Sequence, residues 1–493
     1  PRPYDHFDVS EPSPAVMISL KNYGTRIGSK KLQEFYLDPH QEIDFSEVQP
    51  LRDYCENDLR VTIDLYEAVK DRIELRVKMG EEYGLDLRSK SDAQIAETVI
   101  ASELKKLGVT AKKPDYPASY KPRYKAPDFI SFRSDTLNSA KDLVEESVYT
   151  LASNGAVKMP PELTKLKIVI GNTTYKMGIG GLHSQEKSLT KVSNETHVMR
   201  NADFDSYYPF IILGLGLAPK QLGKKFLTVY EKIVNTRLKA KREGDKLVAD
   251  SLKIVINGSF GKFGSKYSKL YSPDLLLATT ITGQLTLLML IEELERNGIE
   301  VVSANTDGLE YFCPREKVAL AEAIIFDLEL ATGFTMENGE YKALHARDVN
   351  NYVAVYYGYT KAKGIYAETT LSKGRSTPIV YEAVRKYLLD DTSITNTLEE
   401  CGDMNQFVSA RTVKGGGEYD GEYLGKMVRW YYSKTSKGCI SYKSNGNKVP
   451  KTDGAKPMMD MVGLVSIVSD IDYDWYHAEA VEALKNLGVE YVL

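Results

Sequence analysis

The sequence predicts a multidomain α+β protein. At 493 residues the chain is too long for one compact core and long enough for roughly two to four domains. One long stretch, LRDYCENDLRVTIDLYEAVKDRIELRVKMG, carries apolar residues at helical spacing. The middle of the chain, from about 200 to 370, instead alternates short β-rich runs with helical ones.

The elements follow in order. SLKNYGTRIGSKKLQEF reads as a basic segment followed by a loop, ahead of the long amphipathic helix. KKPDYPASYKPRYKAPDF, rich in Pro, Tyr and Lys, reads as a linker or extended crossing. TKLKIVIGNTTYKMGIGGLHS reads as a hairpin turning at Gly-Asn. FLTVYEKIVNTRLKAKREGDKLVADSLKIVINGSFG reads as two helices broken at Gly244. LLLATTITGQLTLLMLIEEL, with its threonines, glutamine and terminal acids, reads as a buried helix rather than a membrane span. IEVVSANTDGLEYF reads as two strands around a turn at Asn305 to Gly308. Beyond about 375 the chain reads as polar and loop-rich, with GGG at 415–417. ISYKSNGNKV reads as a hairpin turning at Asn445-Gly446.

Composition bounds the function. A net charge of −4 does not announce a nucleic-acid binder, although a balanced chain can still hold basic grooves. The four cysteines are far apart and histidine is scarce. A disulfide framework or structural zinc site is therefore not expected, and a reducing cytoplasm is. The chain opens on Pro1 without a secretory signal and is expected to be a fragment or processed product.

Three constellations carry chemistry. In DFDSYYP, Asp203 and Asp205 would share a face if both lie on a strand. In KIVINGSFGKFG, Lys253 and Asn257 share a helix face, and Arg237 and Lys241 repeat the spacing upstream, a set suited to a triphosphate. In SANTDGLEYF, Asp307 sits in a tight turn that Gly308 permits. Taken singly these read as a strand end, a solvated basic face and an ordinary turn. Their order, at roughly fifty-residue intervals, changes that reading.

Together they resemble the family B DNA polymerases, closest to phage-type members. The first palm motif, D-x-x-S-L-Y-P, is matched by Asp203 to Pro209, with Tyr207 in the leucine place. The fingers motif, K-x-x-x-N-S-x-Y-G, is matched by Lys253 to Gly261, with Gly258 for serine and Phe260 for tyrosine. The second palm motif, Y-x-D-T-D-S, is matched by Ser303 to Gly308, with Asn305 in place of its first aspartate. Upstream, Tyr54 and Asp58 fit the late Y-x-x-x-D of the family's proofreading exonuclease, whose earlier acid motifs are not found.

The resemblance implies a right-hand polymerase with palm, fingers and thumb, and a remnant of an RNase H-like exonuclease domain. Its expected parts are the C-terminal part of a 3′–5′ exonuclease domain at 1–105, a linker and N-terminal palm-associated segment at 106–200, palm at 201–222, fingers at 223–265, palm again at 266–372 and thumb at 373–493. It implies template-directed addition of deoxynucleotides to a primer 3′ end with two Mg²⁺ ions. These would be held by Asp203, Asp307 and the Phe204 carbonyl. Nucleotide would meet Ser206, Tyr207, Tyr208, Arg237, Lys241, Lys253 and Asn257, with the Tyr208 ring under the sugar excluding a 2′-hydroxyl. Primer-template DNA would meet Gly180 and Gly181 of GIGGLHS, Arg347, Tyr352, Lys363 and Lys448. The exonuclease is expected to be incomplete, no membrane is expected as a partner, and no role emerges for Asp205. Three rivals stay open: a fragment that only binds primer-template, a metal-dependent nuclease or nucleotidyl hydrolase using scattered acids, and, within the family, protein-primed synthesis.

Overall fold

The computed structural model describes residues 5–14, 18–34, 42–461 and 469–492. The chain is a mixed α+β, multi-sheet protein that divides into two compact units, one of Pro1–Glu74 with Gly358–Leu493 and one of Leu75–Tyr357. The N-terminal residues thus group with the C-terminal segment, which sequence reading does not anticipate.

The second unit is built on a seven-stranded antiparallel sheet. Its order is Met336–Tyr341, His197–Phe204, Gly308–Pro314, Glu300–Asn305, Leu182–Ser184, Thr173–Met177 and Ile168–Ile170. Alternation splits the central strands between two faces. Val198, Ala202, Phe204, Leu309, Tyr311 and Cys313 pack in one core with the helices Pro273–Arg296 and Val318–Thr332. Met199, Val302 and Tyr341 pack in another with Leu344 and Ala354, from the strands Ala343–Asp348 and Asn351–Val355. The helix Pro273–Arg296 is long and apolar enough to cross a membrane by length and composition, but 78% of its most apolar window is buried in the fold. Each residue fully buried there removes apolar surface from water at about 25 cal/mol per Å².

The expected helix break is present. The helices Lys224–Glu243 and Lys246–Phe263 flank Gly244, whose φ of +76° suits a residue without Cβ. Asp245 then caps the second helix, its side chain accepting from the Val248 N–H. Both helices share a core with Asp92–Lys106 through Ile95, Val99, Phe226, Tyr230, Val255 and Phe263. The 168–177 hairpin turns at Gly171 (φ +56°) as its Gly-Asn pair predicts.

His345, on the strand Ala343–Asp348, is buried beside Thr190, with Oγ1 and Nδ1 3.1 Å apart. Burial holds its imidazole down to about 4 from 6.5. The unfolded chain therefore binds the proton more readily, and stability is lost as pH falls from 6.5 to 4, by about 3 kcal/mol at the acid end. His345→Gln is expected to flatten that part of a pH series of urea midpoints. An unchanged slope would place the proton elsewhere.

The first unit holds the helices Leu20–Ile27, Pro378–Asp390 and Tyr473–Asn486, the start of the long helix Val48–Tyr83, and a four-stranded sheet. In the basic N-terminal segment Ser19 caps a helix over Leu20–Ile27 that stops at left-handed Gly28. One expectation is corrected here. The stretch after 375 is not mainly loop, because Ser409–Tyr419 and Glu422–Tyr432 form an eleven-residue hairpin pair. Gly415 and Gly416 lie inside the first of these strands, where φ of +81° and +92° accompanies a register shift. The Asn445-Gly446 turn is present, with Ser441 and Lys448 bridged across it and backbone bonds of 2.8 Å from the Tyr442 N–H to Asn447 and from the Val449 N–H to Ile440. In this unit the Arg429 side chain is fully buried and donates to four backbone carbonyls, those of Ser29, Lys30, Met458 and Met459.

Candidate active site

The site grows from one strand end. His197–Phe204 pairs on one side with Gly308–Pro314, placing Asp203 opposite Gly308, and on the other with Met336–Tyr341, placing Asp203 opposite Glu337. The Phe204 N–H donates to the Asp307 carbonyl at 2.8 Å. The two aspartates therefore stand at the same end of neighbouring strands. Asp307 is exposed, while Asp203 is half-buried and accepts the Asn201 amide on Oδ2 at 2.6 Å. Gly308 makes this approach possible: a Cβ there would lie 1.8 Å from Asp203 Oδ1.

The turn carrying Asp307 is strained. Thr306 has φ +63°, unusual for a β-branched residue. Its N–H donates to the Leu182 carbonyl and its hydroxyl to Asn305 Oδ1. A Cβ on Gly181 would come within 2.6 Å of Thr306 Oγ1, so a glycine is needed at 181 for this turn to seat. The neighbouring Gly180 carbonyl accepts the Tyr208 hydroxyl at 2.8 Å.

The strand ends at Phe204 because Ser206 turns left-handed (φ +49°) before the helix Tyr207–Gly214. This corrects the expectation that Asp205 shares a strand face with Asp203. Asp205 lies past the strand, where its carboxylate accepts from the Ser206 hydroxyl at 3.3 Å and faces the Lys241 ammonium at 3.6 Å. Tyr207 points into the core, donating to the Gly283 carbonyl at 2.6 Å and stacking on Phe204 at 4.0 Å. Only its backbone is available to a ligand. Burial pushes the hydroxyls of Tyr207 and Tyr208 upward, and the Asp307 charge adds to both.

A cleft of about 330 Å³ opens here, lined by Ser206, Tyr208, Thr306 and Asp307 from the sheet side and by Tyr230, Arg237, Asn257 and Phe260 from the helices. The Tyr208 and Phe260 rings stack at 4.5 Å. Arg237 reaches Ser206 Oγ at 3.0 Å, while its Nε is buried with no hydrogen-bond partner. Lys241 bonds to Glu337 at 3.0 Å, and that carboxylate is the main reason its ammonium is pushed upward. Lys253 and Asn257 lie exposed, one turn apart on Lys246–Phe263. The glycine at 258 has a structural cause: a Cβ there would sit 2.5 Å from the Asp92 carbonyl of the adjacent helix.

Asp203, Asp307 and the Phe204 carbonyl are all oxygen donors, which is what Mg²⁺ prefers. Among the described residues no group of three or more His, Cys, Asp or Glu is placed to hold a metal. The pair thus fits an ion that takes much of its shell from water and phosphate, and does not fit a closed protein cage.

The remaining expected residues are placed as follows. Tyr352 is close enough to Glu310, Asp203 and Asp307 for their charges to add to the upward push of burial on its hydroxyl. Arg347 is paired with Asp348 at 2.9 Å. In the first unit, Lys363 is exposed at the end of the strand Thr360–Lys363, and Lys448 is held by Asp453 at 2.8 Å. Tyr54 and Asp58 lie one turn apart on Val48–Tyr83, where the Tyr54 hydroxyl accepts from Lys21 at 3.2 Å. Sequence reasoning missed Asn201 and Glu337. Period-two spacing from Asp203 could have found the first. Nothing local marks the second, which reaches the site only through strand pairing.

No family model matches the chain, and no curated protein does. Among solved structures it is similar to the family B DNA polymerase from the hyperthermophilic archaeon Pyrobaculum calidifontis, with a TM-score of 0.44 and 14% identity over 97% of this chain. The chain spans 62% of the length of that polymerase.

Proposed function

We propose that this chain is a template-directed DNA polymerase of family B type, extending a primer 3′ end with deoxynucleoside triphosphates. The observation that carries this reading is the joint placement of Asp203 and Asp307 on paired strand ends, beside a cleft walled by Arg237 and Asn257. In-line phosphoryl transfer needs positioning and neutralised charge more than a protein nucleophile. This arrangement offers both.

Each side chain has a task in that chemistry. Asp203 and Asp307 would hold Mg²⁺, which when bound polarises phosphate oxygens and lowers the pKa of the attacking hydroxyl. Asn201 orients the Asp203 carboxylate through its amide. Arg237, with an unpartnered Nε, Lys253 and Asn257 would take triphosphate oxygens. Tyr208, tied to the Gly180 carbonyl and stacked on Phe260, is a rigid floor for the sugar. Within the second unit, Gly180, Gly181, Arg347 and Tyr352 would meet primer-template DNA, Arg347 on release from Asp348.

The test is primer extension on a primed template with Mg²⁺ and four deoxynucleotides. Extension supports the reading. Retained duplex binding without extension would make the chain a binding fragment, and release of mononucleotides without added nucleotide would make it a nuclease. Within this reading, Tyr208→Ala is expected to raise ribonucleotide incorporation by roughly 10-fold or more, a steric discrimination of a few kcal/mol being lost. Tyr208→Phe, which keeps the ring, is expected to retain most of the discrimination. Equal discrimination by Tyr208→Ala and the wild type would remove Tyr208 from the sugar site.

A further inference from the structure

The triphosphate cations are not idle in this structure. Lys241 Nζ lies 3.0 Å from Glu337 Oε1 and 3.6 Å from Asp205 Oδ1. Arg237 donates to Ser206 Oγ at 3.0 Å, and that hydroxyl donates on to Asp205 Oδ1 at 3.3 Å. Asp205 is fixed in turn by its backbone, whose N–H donates to the Thr335 carbonyl at 2.9 Å. Glu337 is fixed by register, opposite Asp203 on the adjoining strand. One carboxylate from the turn and one from the edge strand thus converge on the cation that phosphate would need.

We propose that Asp205 and Glu337 act as a carboxylate clasp on Lys241 that an incoming triphosphate must displace, so that these two acids weaken nucleotide binding. This rests on the polymerase reading for the identity of the nucleotide, but the clasp itself needs only a polyphosphate. The physical argument is competition. An ammonium already neutralised by carboxylates gains less from a phosphate than a free one, and the displaced acids then face added negative charge at close range. Lys241 and Glu337 are both substantially exposed, with side-chain exposures of 48% and 68%. The competition is therefore modest, about two- to fivefold per carboxylate, the scale of one partly exposed ion pair. The clasp also gives Asp205 a role that its place in the motif does not suggest.

The experiment is calorimetric titration of inorganic tripolyphosphate, then of a deoxynucleoside triphosphate, into the full chain without primer. Glu337→Gln and Asp205→Asn are each expected to lower Kd by about two- to fivefold. Neither is expected to change Kd in a Lys241→Met background, because the competition passes through that ammonium. Glu340→Gln, which removes an exposed charge from the same strand without touching Lys241, is expected to leave Kd unchanged. Unchanged or weaker binding by both clasp variants would overturn the proposal, as would a gain that survives Lys241→Met or a wild type that binds no polyphosphate. Primer extension on the same preparations separates the two ideas. Tighter binding in the clasp variants without extension by any protein would leave the clasp standing and remove the polymerase. Extension with unaltered Kd would do the reverse.

Discussion

Asp307→Asn and Asp203→Asn are each expected to lower primer extension by on the order of 10³-fold or more, about 4 kcal/mol of barrier. Each substitution removes one negative charge from a donor pair that has no third carboxylate, histidine or cysteine to share the load among the described residues. The fold should not notice. Asp307 is exposed, and surface changes of this kind usually alter stability by less than about 0.5 kcal/mol. Asp203 is half-buried, but an asparagine there can still accept the Asn201 amide through its own carbonyl oxygen. A loss of extension with an unchanged urea midpoint and unchanged duplex affinity would assign both residues to the chemistry. If either variant extends primers within about tenfold of the wild type, that residue is not a metal ligand. The comparison with Asp205→Asn sharpens the result. Asp205 is two residues from Asp203 but faces Lys241, so its loss should tighten nucleotide binding and spare the chemical step.

That contrast also shows what the sequence could and could not convey. The helix break at Gly244 was legible because it depends on local chemistry, a residue without Cβ where the backbone turns left-handed. The turn at Asn305 to Gly308 was legible from its residue types, but its left-handed residue is Thr306, and Gly308 is needed for the close approach of Asp203 rather than for the bend. The facing of Asp203 and Asp205 was misread because alternation assumes that the strand continues. The strand stops at Phe204, where Ser206 turns left-handed, and serine gives no advance sign of that. The Gly415–Gly417 run was misread for a related reason. Glycine marks both loops and bulges, and only the pairing with Glu422–Tyr432 tells the two apart. Glu337 was invisible because its place beside Asp203 is a fact of sheet register between segments far apart in the chain. The motif residues could be named in advance, but not what restrains them. Gly181 beneath Thr306, Gly180 on the Tyr208 hydroxyl and the two acids on Lys241 are tertiary contacts with no periodic signature.

Arg429→Met is expected to destabilise the first unit by on the order of 4 kcal/mol, near the upper end of what a single substitution does. The Arg429 guanidinium is 1% exposed and donates from Nε to the Met458 carbonyl at 2.7 Å and from one terminal nitrogen to Ser29 at 2.7 Å. The other terminal nitrogen reaches Lys30 at 3.1 Å and Met459 at 3.2 Å. The two segments it bridges already share backbone bonds, Leu32 N–H to Met459 and Met461 N–H to Lys30, both at 2.8 Å. Methionine fills much of the volume but removes a donor from four carbonyls; those of Lys30 and Met459 keep their backbone partners, while those of Ser29 and Met458 lose the Arg429 donor, and buried acceptors without partners are costly. Arg429→Lys keeps the charge but not the planar fork, so it should reach fewer of the four carbonyls and fall between Met and the wild type. Hydrogen exchange gives the localised reading: the amides of Leu32 and Met461 should lose protection in Arg429→Met, while those of the His197–Phe204 strand in the other unit keep theirs. Burial also opposes the charge, holding the guanidinium down to about 10 from 12.5, so part of the bonding is offset by desolvation. A variant within about 1 kcal/mol of the wild type would mean that the two nearly cancel, and that the Ser29–Leu32 segment is held by its backbone pairing rather than by Arg429.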